Sequence, residues 1–220
     1  MRVLSIVSQK GGSGKTTLAG HLAVQAELSG AGPVGLLDAD PQVSLVEWAG
    51  EREAATPLVR PTSLWRLAED VESLRAQGLA LLIIDTPPGI MMTIRSAIEV
   101  SDLVLIPVKP SPHDLRAAGK TIAMVGGLAT ALTFVVSCAS PWARITSQTA
   151  IALSQHGTLA PAIIHQRSDF ATSMIDGRTV MEVARRSRSA AEIAALWAYL
   201  DARLSARPQA TSLAPLKGVA

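Results

Sequence analysis

Short apolar runs recur along the chain at Val3–Ser8, Val34–Asp38, Leu79–Asp85, Leu103–Val108, Leu132–Ser137 and Ala160–His165. They are rich in Val, Ile and Leu and barely alternate with polar residues. Such runs predict strands buried on both faces. Between them, Lys15–Ser29, Leu64–Gln77, Asp114–Val125 and Ile145–His156 space their apolar residues near 3.6 and predict helices. The clearest helix is Ser189–Ala206, where Ala191, Ile193, Ala194, Leu196, Trp197, Leu200 and Leu204 form one broad apolar face. Strand and helix in turn predict an α/β fold, a doubly wound and mostly parallel sheet flanked by helices. Ligands of such sheets sit at the carboxyl ends of the strands, so the residues just after each strand are the first to inspect.

Composition narrows the class. With 220 residues, 48% apolar and 17% charged, the chain reads as one globular domain over residues 1–206. The segment 207–220, RPQATSLAPLKGVA, has no periodicity and reads as a disordered tail. A single cysteine, Cys138, excludes a disulfide framework and any multi-cysteine metal site within one chain. No signal peptide is visible at the start. Residues 121–143 carry no charge and are long enough to span a bilayer, but Gly126 and Gly127 divide them into a helix end and a short strand. The net charge of +2 is uneven, because residues 141–220 carry 9 basic and 5 acidic side chains. That small excess suits contact with a polyanion and equally suits a solvated surface.

After the first apolar run comes Lys10-Gly11-Gly12-Ser13-Gly14-Lys15-Thr16-Thr17. Glycines let several backbone N–H groups turn toward one point, and the helix that follows presents its positive end there. Lys15 can reach terminal phosphates and Thr16 can put its hydroxyl on Mg²⁺. The octet departs from GxxxxGK[ST] in having Gln9 at the first glycine position and a second lysine, Lys10. The second run ends in Asp38-Ala39-Asp40-Pro41-Gln42 and the third in Asp85-Thr86-Pro87-Pro88-Gly89. Carboxylates at these strand ends can face the phosphate site, or they can cap helix N-termini. The chemistry assembled is attack of water on a γ-phosphate, with Asp40 as the carboxylate that orients the water. Lys10, pointing away from its own loop, could lend its charge to a second subunit, which links hydrolysis to dimerisation.

KGGSGKTT, DADPQ and IIDTPPG, in this order, resemble the ParA/MinD family of deviant-Walker ATPases over about residues 1–205. The segment Ser101 to Asp114, SDLVLIPVKPSPHD, is similar to the proline-rich region of the small ParF-like plasmid-partition branch, as is the stretch from Gln166-Arg167 to Met174-Ile175-Asp176-Gly177. The resemblance implies ATP/ADP and Mg²⁺ as cofactors and an ATP-dependent face-to-face homodimer. It makes Lys10 the signature lysine that reaches the partner's phosphates, with Gly11, Gly12, Ser13, Gly14, Lys15, Thr16 and Thr17 forming the phosphate loop. Thr16, Asp38 and Asp85 fall around the hydrated metal, and Asp40 matches the hydrolytic aspartate. Pro110, Ser111, Pro112 and Asp114 become candidates near the adenine, their plain reading being a strand-to-helix turn.

The same resemblance suggests non-specific DNA binding through Arg167, Arg178, Arg185, Arg186 and Arg188. With seven aromatics in the chain, contact with the DNA backbone is expected rather than base stacking. Ser137-Cys138-Ala139-Ser140 stands where relatives often carry asparagine. No extension precedes the first strand, so operator recognition is not expected, and no terminal membrane helix of the MinD type is evident. The expectation is a cytoplasmic, nucleoid-associated ATPase that positions a plasmid, a chromosome or a protein complex, released by a ParB/ParG-like adaptor that stimulates hydrolysis. No stable membrane association is expected. A MinD-like membrane regulator of division is the alternative.

Overall fold

The computed structural model describes residues 1–125 and 130–206. Seven strands form one sheet: β1 (Arg2–Ile6), β2 (Val34–Asp38), β3 (Leu58–Pro61), β4 (Leu81–Asp85), β5 (Leu103–Val108), β6 (Ala131–Ala139) and β7 (Leu159–His165). Their order is β3-β2-β4-β1-β5-β6-β7, and every pairing is parallel. Nine helices accompany them in the described residues: α1 (Lys15–Leu28), α2 (Ser44–Gly50), α3 (Leu67–Ala76), α4 (Met91–Glu99), α5 (Pro112–Val125), α6 (Arg144–Ser154), α7 (Ser168–Ser173), α8 (Val180–Val183) and α9 (Arg188–Ser205).

The continuous apolar runs have a simple cause. Alternate residues of each central strand enter cores on opposite faces. Leu4, Ile6, Leu81, Ile83, Leu103 and Leu105 pack under α1 and α9 with Leu22, Leu196 and Trp197. Val3, Leu82 and Ile84 pack against α3, and Val104, Ile106 and Val108 against α4 and α5. A strand covered on both sides has no polar face to show. At the edge the rule relaxes. β7 pairs only with β6, and Pro161 sits exposed within it, as an edge strand permits.

The pattern missed five elements, β3, α2, α4, α7 and α8, and each is short or poorly covered. β3 has four residues, none buried. α2 buries only Leu45 and Trp48, and α4 begins with the exposed Met91 and Met92. The predicted α3 start at Leu64 moves to Leu67, because residues 63–66 form a turn closed by Arg66 N–H donating to the Ser63 carbonyl at 3.0 Å. The uncharged stretch 121–143 divides between the end of α5 and β6; Gly126, Gly127 and the segment 207–220 lie outside the described residues. No described helix is long and apolar enough to cross a membrane. α9 buries Ala190, Ile193, Leu196, Trp197 and Leu200 against the sheet and α1, so its apolar face is core.

Candidate active site

The loop between β1 and α1 is shaped by two glycines. Gly12 and Gly14 hold φ of 70° and 86°, the left-handed region that side chains avoid. Gly14 caps α1 without any side-chain hydrogen bond, and the first turn of α1 carries no acidic residue. The positive end of a 14-residue helix is therefore open to an anion. Lys10 and Gly11 are exposed, Ser13 is fully buried, and Thr16 and Thr17 are half-buried. Ser13 Oγ is buried with no hydrogen-bond partner. The cradle is also braced from β6, a contact the sequence reading missed: Ser137 Oγ donates to the Ser13 carbonyl at 2.8 Å. The only sequence-level hint was that β6 ends at the same sheet edge as the loop.

Below the loop lies a compact set of charges. Lys15 is buried; desolvation lowers its pKa, opposed by Asp85 and Asp40. Thr16 Oγ1 donates to Asp85 Oδ2 at 2.6 Å, and Asp85 Oδ1 is buried with no partner. Burial pushes the Asp85 carboxyl up to about 7, against the opposing pull of Thr16 and Lys15. A threonine that gives its proton to Asp85 keeps its lone pairs for a cation. The orphaned Asp85 oxygen can accept from a metal-bound water. Among the described residues no cluster of three or more His, Cys, Asp or Glu could hold a metal unaided. The Thr16 hydroxyl and the unpartnered Asp85 oxygen fit Mg²⁺, which takes few protein ligands and shares its coordination with water and phosphates.

The two aspartates after β2 differ. Asp38 Oδ2 accepts from the Leu45 and Val46 N–H groups at 2.9 and 3.2 Å, and Oδ1 from Asp40 N–H at 3.0 Å. Both oxygens accept from backbone N–H groups, so Asp38 tethers α2 and shapes the Asp40 turn, contacts that the helix-terminus reading describes. Burial raises its pKa, partly offset by those three N–H donors. Asp40 is half-buried. Its Oδ1 accepts from Gln42 N–H at 3.0 Å, and no described residue donates to Oδ2.

The proline-rich turn after β5 is explained locally. Pro112 opens α5, Ser111 Oγ donates to the Asp114 carboxylate, and Asp114 N–H donates back to Ser111 Oγ at 3.1 Å. That is a reciprocal helix cap with proline at the first helical position. Pro110 is half-buried beside it. Lys109, immediately before, was not singled out by the sequence reading. Its Nζ lies 3.5 Å from where a Cβ on Gly12 would stand.

The five arginines fall into two groups. Arg167 is half-buried and paired with Glu192 at 2.7 Å, and Arg178 pairs with Asp176 two residues away. Arg185, Arg186 and Arg188 are exposed around the α8–α9 junction and pair with no described carboxylate within 4 Å. Arg52 is another residue the sequence reading passed over. It donates to Glu182 at 2.7 and 3.0 Å and to the Gly177 carbonyl at 2.7 Å, and stacks 5.2 Å from the Trp48 ring. It ties the α2 end to α8.

A parallel sheet of this order, with a glycine loop and buried lysine between β1 and α1, defines a P-loop nucleotide-binding ATPase domain. The family described as CbiA, the CobQ/CobB/MinD/ParA nucleotide binding domain, matches residues 4–180, and the chain belongs to it. A maintenance of carboxysome distribution protein A from Halothiobacillus neapolitanus is 31% identical over 202 residues, covering 86% of this chain and 91% of that protein. A protein ParA from Rhizobium radiobacter is 30% identical over 132 residues, covering 57% of this chain and 56% of that protein. Among solved structures, the septum site-determining protein MinD from Pyrococcus horikoshii, complexed with Mg-ADP, superposes with a TM-score of 0.76 at 18% identity, covering 91% of this chain and 96% of that one. Apo McdA from Cyanothece gives 0.72 at 17%, covering 93% and 100%. At such identities the two structures speak for the fold.

Proposed function

We propose that this ATPase positions a cargo by cycling between an ATP-bound homodimer on nucleoid DNA and a released monomer in the cytoplasm. The observation that carries the reading is Lys10. It stands exposed at the tip of the phosphate loop, with no described carboxylate within 4 Å, while Lys15 fills the cationic place beneath the loop. A second lysine on the open side of the loop suits a ligand shared with another copy of the chain.

In this reading Gly11 to Thr17 hold the phosphates through backbone N–H groups and the α1 terminus. Lys15 offsets phosphate charge in a low-dielectric setting where it counts most. Thr16 and Asp85 would hold Mg²⁺, which would neutralise charge between the terminal phosphates. Asp38 fixes the turn that aims Asp40, and Asp40, with one carboxylate oxygen unengaged, orients the attacking water. Lys10 from the partner completes the positive charge. Arg185, Arg186 and Arg188 face the DNA backbone. Arg167 and Arg178, already paired, hold that surface in shape.

The carboxysome distribution relative aligns over more of the chain than the ParA protein, which favours a protein compartment over a plasmid as the cargo. The proline-rich turn suits the small ParF-like branch, and an adaptor of the ParB/ParG kind would trigger hydrolysis. The packed apolar face of α9 favours DNA over a membrane surface.

The test is co-sedimentation with DNA or with anionic liposomes, in ATP and ADP, alongside mass by light scattering. Wild-type chain should dimerise and bind DNA with ATP. Lys10→Ala should lose dimer and turnover, Asp40→Ala should trap the dimer without turnover, and Arg185→Glu with Arg186→Glu should lose DNA alone. Binding to liposomes and not DNA, or full turnover by a monomeric Lys10→Ala chain, would overturn the reading.

A further inference from the structure

The sheet order gives the phosphate loop two unlike sides. β1 lies between β4 and β5, with Ile6 in register with Asp85 on one side and Leu105 on the other. The β4 side carries Asp85 and its bond to Thr16, with Asp40 close enough to act on Lys15. Three carboxylates, Asp38, Asp40 and Asp85, act on one another there. That side is built for a cation. On the β5 side the described carboxylate that acts on this patch is Asp114, felt at the Cys138 thiol. That carboxylate accepts from Ser111 Oγ.

On that β5 side stands Lys109. Its backbone is fixed at the strand end, where its carbonyl accepts from Ser111 N–H at 2.7 Å. Its ammonium reaches across β5 to the loop, 3.5 Å from the Cβ position of Gly12. Cys138 Sγ reaches the same patch, 3.6 Å from the Cβ position of Gly14; burial raises the pKa of that thiol, Lys109 lowers it and Asp114 raises it. Lys109 is half-buried and pairs with no described carboxylate within 4 Å. A half-buried ammonium turned toward a nest of N–H groups, with no described carboxylate within salt-bridge distance, calls for an anion.

The geometry points to Lys109 as a further phosphate ligand of the bound nucleotide, reaching it from the side of the loop opposite the metal. The inference rests on phosphates occupying the loop. Lys15 and Thr16 then serve the metal-bearing end, and Lys109 adds charge that does not depend on the metal. A charged hydrogen bond of this kind corresponds to about tenfold in affinity or more.

The experiment is calorimetric titration of ADP into wild-type, Lys109→Met and Lys109→Arg chains, each in Mg²⁺ and in EDTA. Lys109→Met should bind about tenfold more weakly in both solutions by the same factor, and Lys109→Arg should stay close to wild type. Cys138, the single cysteine, supplies an independent readout: ADP should slow its labelling by a thiol reagent in wild type, and the protection should need about tenfold more ADP in Lys109→Met. Thermal melting without nucleotide should be alike in the three chains. ADP affinity within twofold of wild type in Lys109→Met would overturn the inference while leaving nucleotide binding intact. A loss confined to Mg²⁺ solutions would also overturn it, by moving Lys109 to the metal side. Wild-type chain that binds no ADP would overturn the nucleotide reading and this inference with it.

Discussion

Asp85→Asn should make the nucleotide-free protein more stable at high pH, though it removes a site residue. Asp85 is 1% exposed, and one oxygen has no partner. Its carboxyl titrates near 7 in the fold and near 3.8 in the unfolded chain. The folded state therefore holds an extra proton between those values. Its stabilising contribution is complete below 3.8 and is lost as pH rises through about 7. Two pH units of that window, from 5 to 7, amount to about 3 kcal/mol. Asparagine resembles the protonated acid and does not titrate. The stability of Asp85→Asn relative to wild type should thus rise by about 3 kcal/mol between pH 5 and pH 8. For a chain of this size that is about 6–12 °C in relative melting temperature. The assay is thermal melting of both chains in EDTA at the two pH values. A stability difference that does not change with pH would refute the argument that a buried carboxylate with one unpartnered oxygen destabilises the charged form of the fold. If Asp85 holds Mg²⁺ as proposed, adding Mg²⁺ and ADP should stabilise wild type more than Asp85→Asn.

Two further outcomes follow from buried groups elsewhere. His21 is fully buried, with Nδ1 2.8 Å from the Thr17 carbonyl, and burial lowers its pKa to about 4. The unfolded chain takes up that proton first, so stability falls by about 3 kcal/mol as pH drops from 6.5 to 4. This slope opposes that of Asp85, so acid melts of Asp85→Asn should fall more steeply than those of wild type; a parallel fall would refute the pairing of slopes. Gly177→Ala should destabilise by about 2 kcal/mol or more in urea unfolding, because its φ is 74° and a Cβ would stand 2.4 Å from the Arg52 backbone. A change below about 0.5 kcal/mol would mean the Arg52 clasp yields freely.

The central strands were legible because burial on both faces writes itself as an unbroken apolar run, and β2, β4 and β5 lie where those runs do. The loop was legible because its chemistry is local: glycines at positive φ, a lysine and a threonine at the head of a helix. β3, α2 and α4 were not, since each is short and leaves polar or solvent-facing residues in view. Asp38 shows what a motif leaves open. Spacing let it face the phosphate site or cap a helix, and in the fold its oxygens accept from N–H groups of Asp40, Leu45 and Val46. The same holds for Ser111 and Asp114, which cap α5, and for Arg167, which meets Glu192 from a helix 25 residues on.

The amino-acid order alone determined the layered fold and the glycine–lysine loop at the head of α1, because periodicity and a contiguous loop are properties of neighbours along the chain. Only the tertiary structure decided which charges face the loop. Parallel pairing puts strands distant in sequence side by side, so Asp85 comes to one flank of β1 while Lys109 and Ser137 come to the other. Whether a carboxylate or an ammonium is free, paired or buried depends on those neighbours, and no spacing in the sequence records them.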